Sequence, residues 1–244
     1  MDPWKFRLEE QRAWPPSLAW CGRNMSSDDG SQVHPVGTAP GLERTVEIVE
    51  DDPRSERRTL RLRDLPDDVC VLVLGDPGSG KTTCMAEAAS VFGGSFVPVR
   101  QFLVRPAGWL APGTPLFLDA LDEALAGGPS NPADAVARKL HECGQPRFWL
   151  SCRPVDWAAL AGTRVLRDAA GSRPLFPVRL LPLDDAGVET LVRTGGQDPA
   201  KFLRQVEEAR LAPLLRNPQT LLLMLDVASR GGGLPSSRRA LYET

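Results

Sequence analysis

The sequence predicts an α/β fold in which a mainly parallel five-stranded sheet is flanked by helices and followed by a small helical subdomain. Between residues 69 and 180, short apolar runs alternate with helix-compatible stretches, a pattern typical of buried parallel strands joined by crossover helices. After Pro182 the spacing of apolar residues is helical throughout. The 244 residues suffice for one such domain with a small appendage.

A β-hairpin is predicted ahead of the main domain. Two short stretches alternate apolar and polar residues, and a turn signal at 51–55 separates them. The apolar residues that share one face of each predicted strand are Val46, Ile48, Leu60 and Leu62. We therefore expect four regions: a largely irregular segment at 1–43, a hairpin lead-in at 44–65, the main domain at 66–182 and the helical subdomain at 183–244.

The main domain is predicted to contain five strands, at 69–74, 96–99, 116–118, 148–151 and 176–180. Pro177 favours an edge position or a late start for the last of them, because proline cannot donate to a sheet. Predicted helices cover 81–92, 132–143, 184–192, 199–210 and 218–229, with Asp184 and Asp198 as N-caps. A helical pattern that begins at Arg239 and stops with the chain suggests a truncated subdomain.

A glycine-rich loop follows the first predicted strand of the main domain. Its sequence, Gly75-Asp76-Pro77-Gly78-Ser79-Gly80-Lys81-Thr82, fits the pattern G-x-x-x-x-G-K-[ST] and is followed by Thr83. The glycines let backbone N–H groups surround phosphate oxygens, and the next helix directs its positive end at the same anion. Lys81 is expected on the β- and γ-phosphates and the Thr82 hydroxyl on Mg²⁺. The loop predicts a P-loop nucleoside triphosphatase.

Acidic residues follow the strand predicted at 116–118. Asp119 ends this apolar strand, so we expect its carboxylate at the carboxyl edge of the sheet, where ligands of open α/β sheets bind. Asp119 is the predicted partner of Mg²⁺, directly or through water. Either Asp122 or Glu123 is predicted to orient and deprotonate an attacking water.

The charge, hydropathy and cysteine content of the chain indicate which kinds of partner and compartment to expect. The formal net charge of −2 gives no overall attraction to nucleic acid or anionic lipid. No stretch is apolar enough for a membrane span, and the N-terminal residues do not look like a signal peptide. The five cysteines lack metal-site spacing, and Cys70 and Cys84, which flank the glycine-rich loop, are predicted to be reduced thiols, as is Cys152. We expect a cytoplasmic protein with no membrane partner and no indication of nucleic acid binding.

These motifs together resemble the NACHT branch of the STAND signalling ATPases. The resemblance covers about residues 65–244 and rests on five stretches: 75–83, 119–124, Ser151-Cys152-Arg153-Pro154, Leu181-Pro182-Leu183 and Arg216-Asn217-Pro218-Gln219. It implies that Arg153 is a sensor that reads the γ-phosphate and that Pro218 packs near the base. The winged-helix domain and repeat-type sensor of such proteins have no counterpart in this sequence.

The resemblance also implies a function. It suggests a switch that ADP holds closed and ATP opens, with slow hydrolysis as a reset, homo-oligomer formation on activation, and a role in immune or antiviral defence. The trigger ligand and the effector are unknown. Alternatives are a turnover ATPase of AAA+ or nucleic-acid-processing type, a small-molecule kinase, and a remnant that only binds nucleotide. ATP and ADP are favoured over GTP because no N-K-x-D guanine-reading motif occurs.

Overall fold

A mixed seven-stranded sheet forms the centre of the protein. The computed structural model describes residues 40–49, 58–125, 131–160, 163–230, 234–235 and 240–241. The strands are β1 Thr45–Ile48, β2 Thr59–Arg61, β3 Cys70–Leu74, β4 Ser95–Pro98, β5 Leu116–Asp119, β6 Phe148–Cys152 and β7 Leu175–Leu180. Their order across the sheet is β2-β1-β7-β3-β6-β5-β4.

Five neighbouring strands, from β7 to β4, are parallel, and β1 and β2 extend this set in the antiparallel sense. The prediction of a five-stranded sheet preceded by a separate hairpin was therefore wrong in one respect. The hairpin joins the same sheet, because β1 pairs with β7 from Val46↔Leu180 to Ile48↔Val178. Val46 is completely buried there, so the hairpin covers an edge that β7 would otherwise expose.

Pro177 lies in an internal strand, contrary to the edge position that its residue type suggested. Its carbonyl accepts a hydrogen bond from the Val49 N–H at 2.9 Å, just beyond the last β1–β7 pair. In a strand the carbonyl and the nitrogen of one residue face the same neighbour. The missing N–H of Pro177 therefore faces the end of β1 and removes no bond to β3.

The described part of the chain contains nine α-helices. They are α1 Lys81–Val91, α2 Val99–Val104, α3 Leu121–Leu125, α4 Pro132–Glu142, α5 Pro154–Leu160, α6 Thr163–Ala170, α7 Asp185–Thr194, α8 Pro199–Glu208 and α9 Pro218–Ser229. Short 3₁₀ turns occupy Leu62–Asp64, Ala107–Trp109 and Ala212–Leu214. The five helices predicted between residues 81 and 229 are present, whereas α2, α3, α5 and α6 were not predicted. Most of the helix predicted from Arg239 lies outside the described residues.

Side-chain caps explain where several helices begin. The Asp184 carboxylate accepts from the Gly187 N–H at 2.8 Å, and Asp198 accepts from the Lys201 N–H at 2.7 Å. Each cap satisfies one of the N–H groups that a helix start leaves without a backbone partner. The N-caps predicted for α7 and α8 are confirmed.

Hydrophobic clusters within the described residues hold these layers together. One joins the sheet to α2 through α6 and includes Phe102 and Phe148, both completely buried. Another cluster lies among α7, α8 and α9 and includes Phe202 and Met224. Within the described residues, no helix has the length and apolarity that crossing a bilayer requires. The four described cysteines carry no disulfide.

Candidate functional site

Three polar segments leave the same edge of the sheet. They are the glycine-rich loop after β3, the acidic segment that begins with Asp119 at the end of β5, and Arg153 after β6. The strand order places β6 between β3 and β5, and Leu74 of β3 pairs in parallel with Cys152 of β6. Because the carboxyl ends of parallel strands meet at one edge, segments far apart in sequence form one site.

The glycine-rich loop has the shape that its sequence demands. Gly78 has a φ of 75° and Gly80 a φ of 93°, and side chains rarely adopt this left-handed region. The Ser79 N–H closes a turn on the Asp76 carbonyl at 3.1 Å. Gly80 is the N-cap of α1 and offers no side-chain hydrogen bond, so the first N–H groups of α1 have no side-chain cap. They are available to an anion.

The Lys81 amine lies against the loop and beside the acidic segment. It donates to the carbonyl oxygens of Gly75 at 2.6 Å and Asp76 at 3.1 Å. Burial lowers the pKa of Lys81, while the carboxylates of Asp122 and Asp119 act in the opposite direction. The structure thus brings together the predicted phosphate-binding lysine and two of the three predicted acids.

Other loop residues remain accessible. Asp76, Pro77, Thr82 and Thr83 are exposed, so the predicted Mg²⁺-binding hydroxyl of Thr82 faces solvent. The Ser79 hydroxyl is the exception, because it is buried and has no hydrogen-bond partner within the described residues. A Cβ atom on Gly75 would approach that hydroxyl to 2.6 Å, which explains a glycine at the start of the loop.

Asp119 is fixed by a serine to which the sequence assigned no role. The Ser151 hydroxyl donates to Asp119 Oδ1 at 2.5 Å and accepts from the Ala120 N–H at 2.8 Å. Ala120 has a φ of 63°, an unfavourable conformation for a residue with a Cβ atom. Ser151 therefore holds both the buried carboxylate and the strained backbone that redirects the chain into α3.

Asp122 and Glu123 occupy different environments. The Asp122 side chain is 7% exposed and forms an ion pair of 2.8 Å with Arg153 Nε through Oδ2. Its Oδ1 is buried without a hydrogen-bond partner among the described residues. Glu123 is exposed, and its main-chain carbonyl accepts from Arg100 Nε at 2.8 Å. Of these two acids, Asp122 is the one whose carboxylate acts on the pKa of Lys81.

The donor set fits Mg²⁺ bound together with phosphate. No group of three or more His, Cys, Asp or Glu side chains in the described part of the chain forms a metal cage. Mg²⁺ does not require one, since it is usually held by one or two carboxylates, water and substrate phosphates. Asp119 and the unpartnered Oδ1 of Asp122 are suitable oxygens, with Thr82 at the start of α1.

A cavity of about 300 Å³ adjoins the loop. It lies between the start of α1, the residues before β1, and the first turns of α7 and α9. Its lining includes Gly80, Thr83, Leu183, Leu191 and Pro218, the proline that the resemblance assigned to the base. The volume and mixed apolar and polar lining are those of a small-molecule site.

The residues just before β1 form a turn at 40–43, within the segment that the sequence predicted to be irregular, and line part of this cavity. Gly41 donates to the Glu87 carboxylate of α1 at 2.7 Å, and Leu42 is buried. Arg44 also lines the cavity and is only 9% exposed. No motif marks these residues, because their place depends on the pairing of β1 with β7. Residues 1–39 lie outside the described part of the chain.

Comparison with known proteins leaves the family open. No protein-family model matches the chain, and no curated protein matches it. One similar solved structure is the Orc1 protein of Aeropyrum pernix in complex with DNA, with 17% sequence identity and a TM-score of 0.41. The similarity covers 72% of this chain and 58% of that protein, so this chain spans little more than half of its length.

Proposed function

We propose that the chain binds an adenine nucleotide with Mg²⁺ and acts as a slowly hydrolysing molecular switch of the NACHT and STAND type. One observation carries this proposal. The Lys81 amine, the glycine-rich loop and the carboxylates of Asp119 and Asp122 meet at one sheet edge, next to a cavity large enough for a base. In this proposal the phosphates, Mg²⁺ and the base bind next to one another.

Each residue has a proposed role in this site. The N–H groups of 78–83 cradle the phosphates, and Lys81 leaves its carbonyl partners to bind the β- and γ-phosphates. Thr82 and Asp119 hold Mg²⁺, which would neutralise charge on the phosphate oxygens. Asp122 orients the attacking water, and Arg153, now paired with Asp122, neutralises charge near the γ-phosphate. Pro218 contacts the base.

The contact between the helical residues and the loop supports a switch. The Gln219 N–H of α9 donates to the Gly78 carbonyl at 3.2 Å, and Pro218 shares the cavity with Gly80. A nucleotide that occupies the loop and the cavity therefore touches both the sheet domain and the helical residues. We infer that ADP and ATP favour different positions of the helical residues relative to the sheet domain. Assembly into a homo-oligomer on activation is part of the same proposal.

A turnover ATPase of AAA+ or nucleic-acid-processing type is the second candidate. The buried, unpartnered Oδ1 of Asp122 favours it, because an acid held in this way is suited to orienting water during repeated catalysis. The two candidates differ in rate. A switch without its partner protein is expected to hydrolyse ATP at about 10⁻⁴ to 10⁻² s⁻¹, whereas a turnover enzyme typically reaches about 1 s⁻¹ or more.

Asp122→Asn provides the mutational test. The amide keeps the size of the side chain but cannot take a proton from water, so hydrolysis is expected to fall about 100-fold or more, while the Kd for Mg–ATP changes little. Single-turnover hydrolysis and calorimetric titration measure the two quantities. Glu123→Gln, an exposed neighbour, is the matched control and should retain most of the activity.

The result distinguishes the assignments. A loss of binding equal to the loss of hydrolysis would give Asp122 a structural role through its pair with Arg153. A larger effect of Glu123→Gln on hydrolysis would transfer the water-orienting role to Glu123. Fast hydrolysis by the wild type, stimulated by DNA or RNA, would contradict the switch and favour the turnover ATPase.

A further inference from the structure

Three successive carbonyl oxygens of the glycine-rich loop accept hydrogen bonds from outside the loop. The pairs are Pro77 O with the Asn217 side-chain amide at 3.2 Å, Gly78 O with the Gln219 N–H at 3.2 Å, and Ser79 O with Arg44 Nη1 at 2.8 Å. We call these three donors the carbonyl clamp. Two belong to the start of α9 and one to the residue that precedes β1, so the clamp joins separate elements.

By holding these carbonyls, the clamp also fixes the direction of the N–H group in the same peptide bond. The described peptide bonds are all trans, and in a trans peptide the carbonyl and the next N–H point in opposite directions. A donor that holds the Pro77 carbonyl therefore turns the Gly78 N–H away from the clamp. In the same way, Arg44 orients the Gly80 N–H through the carbonyl of Ser79.

Arg44 connects the glycine-rich loop to the end of β7 through two hydrogen bonds. Its Nη2 donates to the Leu181 carbonyl at 2.6 Å, immediately after β7, while Nη1 holds the loop. A planar guanidinium can satisfy two fixed carbonyls at once, which a lysine amine on a flexible stem does less well. At 9% exposure the side chain is a buried cation, and within the described residues these two carbonyls accept its hydrogen bonds.

Asn217 combines two tasks in one side chain. Its Oδ1 caps α9 by accepting from the Thr220 N–H at 3.1 Å, and its Nδ2 donates to the Pro77 carbonyl. The beginning of α9 and the position of the loop are thereby linked. The packing is close, since a Cβ atom on Gly78 would approach Gln219 Oε1 to 2.5 Å.

We propose that Arg44 and Asn217 are positioning residues for phosphate recognition, which hold the peptide planes of the loop so that the N–H groups of Gly78 and Gly80 face the nucleotide phosphates. Nucleotide affinity then depends on α9 being docked on the loop. The inference rests on the proposed nucleotide binding and adds the regulation of that same site.

The test must separate phosphate recognition from base recognition, because Arg44 also lines the cavity. Mg–ADP and adenosine serve as probes with and without phosphates. The variants are Arg44→Met, which removes both donors, Arg44→Lys, which keeps the charge, and Asn217→Ser, which keeps a capping oxygen on a shorter side chain. Arg193→Met changes an exposed arginine of α7 and is the matched control.

Arg44→Met and Asn217→Ser are each expected to raise the Kd for Mg–ADP about tenfold or more, with the Kd for adenosine unchanged. Arg44→Lys should recover part of the loss. Circular dichroism shows whether each variant is folded. If Arg44→Met does not fold, the Kd values of Asn217→Ser alone test the inference.

Two outcomes would overturn the inference. In the first, folded variants bind Mg–ADP within about threefold of the wild type. In the second, the Kd values for adenosine and Mg–ADP rise equally, which would assign Arg44 to the cavity. Failure of the wild type to bind any nucleotide is a different result, because it contradicts the proposed function itself and the inference with it.

Discussion

At the scale of single residues, a few buried polar atoms define the site. Ser151 connects Asp119 to the strained backbone at Ala120, and Arg153 neutralises the buried Asp122. Charged groups buried in this way need partners, since leaving one unpaired costs more free energy than its hydrogen bond contributes. The arrangement therefore ties the stability of the fold to the chemistry of the site.

Ser151→Ala tests that connection. The change removes a charge-assisted hydrogen bond to Asp119 and the acceptor of the Ala120 N–H, so the free energy of unfolding is expected to fall by about 1–3 kcal/mol. Urea unfolding measures this, and Ser172→Ala at an exposed position is the control. Equal stability of the two variants would mean that Asp119 does not depend on Ser151.

The buried thiols predict a pH dependence of stability. Burial raises the pKa of Cys84 to about 11 and that of Cys152 to about 12. In the unfolded chain a thiol ionises near pH 8.5, so the folded state keeps protons that the unfolded state loses. This contribution to stability is complete below about pH 8.5 and is lost as pH rises through the folded pKa values.

Unfolding free energies of the wild type and Cys152→Ala between pH 8 and pH 11 measure this contribution, with the wild-type curve expected to fall more steeply. Parallel curves would contradict the assignment of the raised pKa to Cys152. Cys143, which is only partly buried, should react with iodoacetamide before Cys84 and Cys152 do.

The residue scale also shows how far sequence reasoning reaches. The loop 75–83 could be recognised because its signal is local, since the pattern G-x-x-x-x-G-K-[ST] places Gly75, Gly80, Lys81 and Thr82 close together in sequence. The contacts of Arg44 could not be predicted in this way, since its partners Ser79 and Leu181 are 35 and 137 residues away along the chain. Its role arises only when β1 joins the sheet.

At the scale of elements, the strands were more predictable than their neighbours in the sheet. The buried apolar runs mark β3, β5, β6 and β7, because strands covered on both faces must be apolar. Strand order has no local signal, and the pairing of β1 with β7 was not predicted. The unpredicted α3 and α5 directly follow β5 and β6, at the edge of the sheet where the candidate site lies.

Val46→Ala tests the role of the hairpin in the sheet. Val46 is completely buried opposite Leu180, so losing its two methyl groups should lower the free energy of unfolding by about 1–3 kcal/mol. Thr59→Ala, at an exposed position of β2, is the control and should change it by less than about 0.5 kcal/mol. A negligible effect of Val46→Ala would show that β1 is dispensable.

At the scale of the whole molecule, the sheet and the helical residues meet at the glycine-rich loop. The loop leaves β3, is anchored by its Gly75 N–H on the Cys152 carbonyl, and touches α9 through Gly78. A ligand that binds at the loop therefore lies next to both the sheet and α9. Ligand binding should therefore raise the stability of the whole fold, by an amount that depends on occupancy.

Thermal unfolding with Mg²⁺ and ADP, ATP or GTP tests the central claim most directly, with Lys81→Ala and the exposed Lys201→Ala compared with the wild type. A nucleotide at about 100 times its Kd should add about 2.7 kcal/mol, which corresponds to a rise in Tm of about 5–10 °C for a chain of this size. We predict this rise with ADP and ATP in the wild type and Lys201→Ala, and its loss in Lys81→Ala. An unchanged Tm with every nucleotide, or an equal rise in Lys81→Ala, would contradict the account.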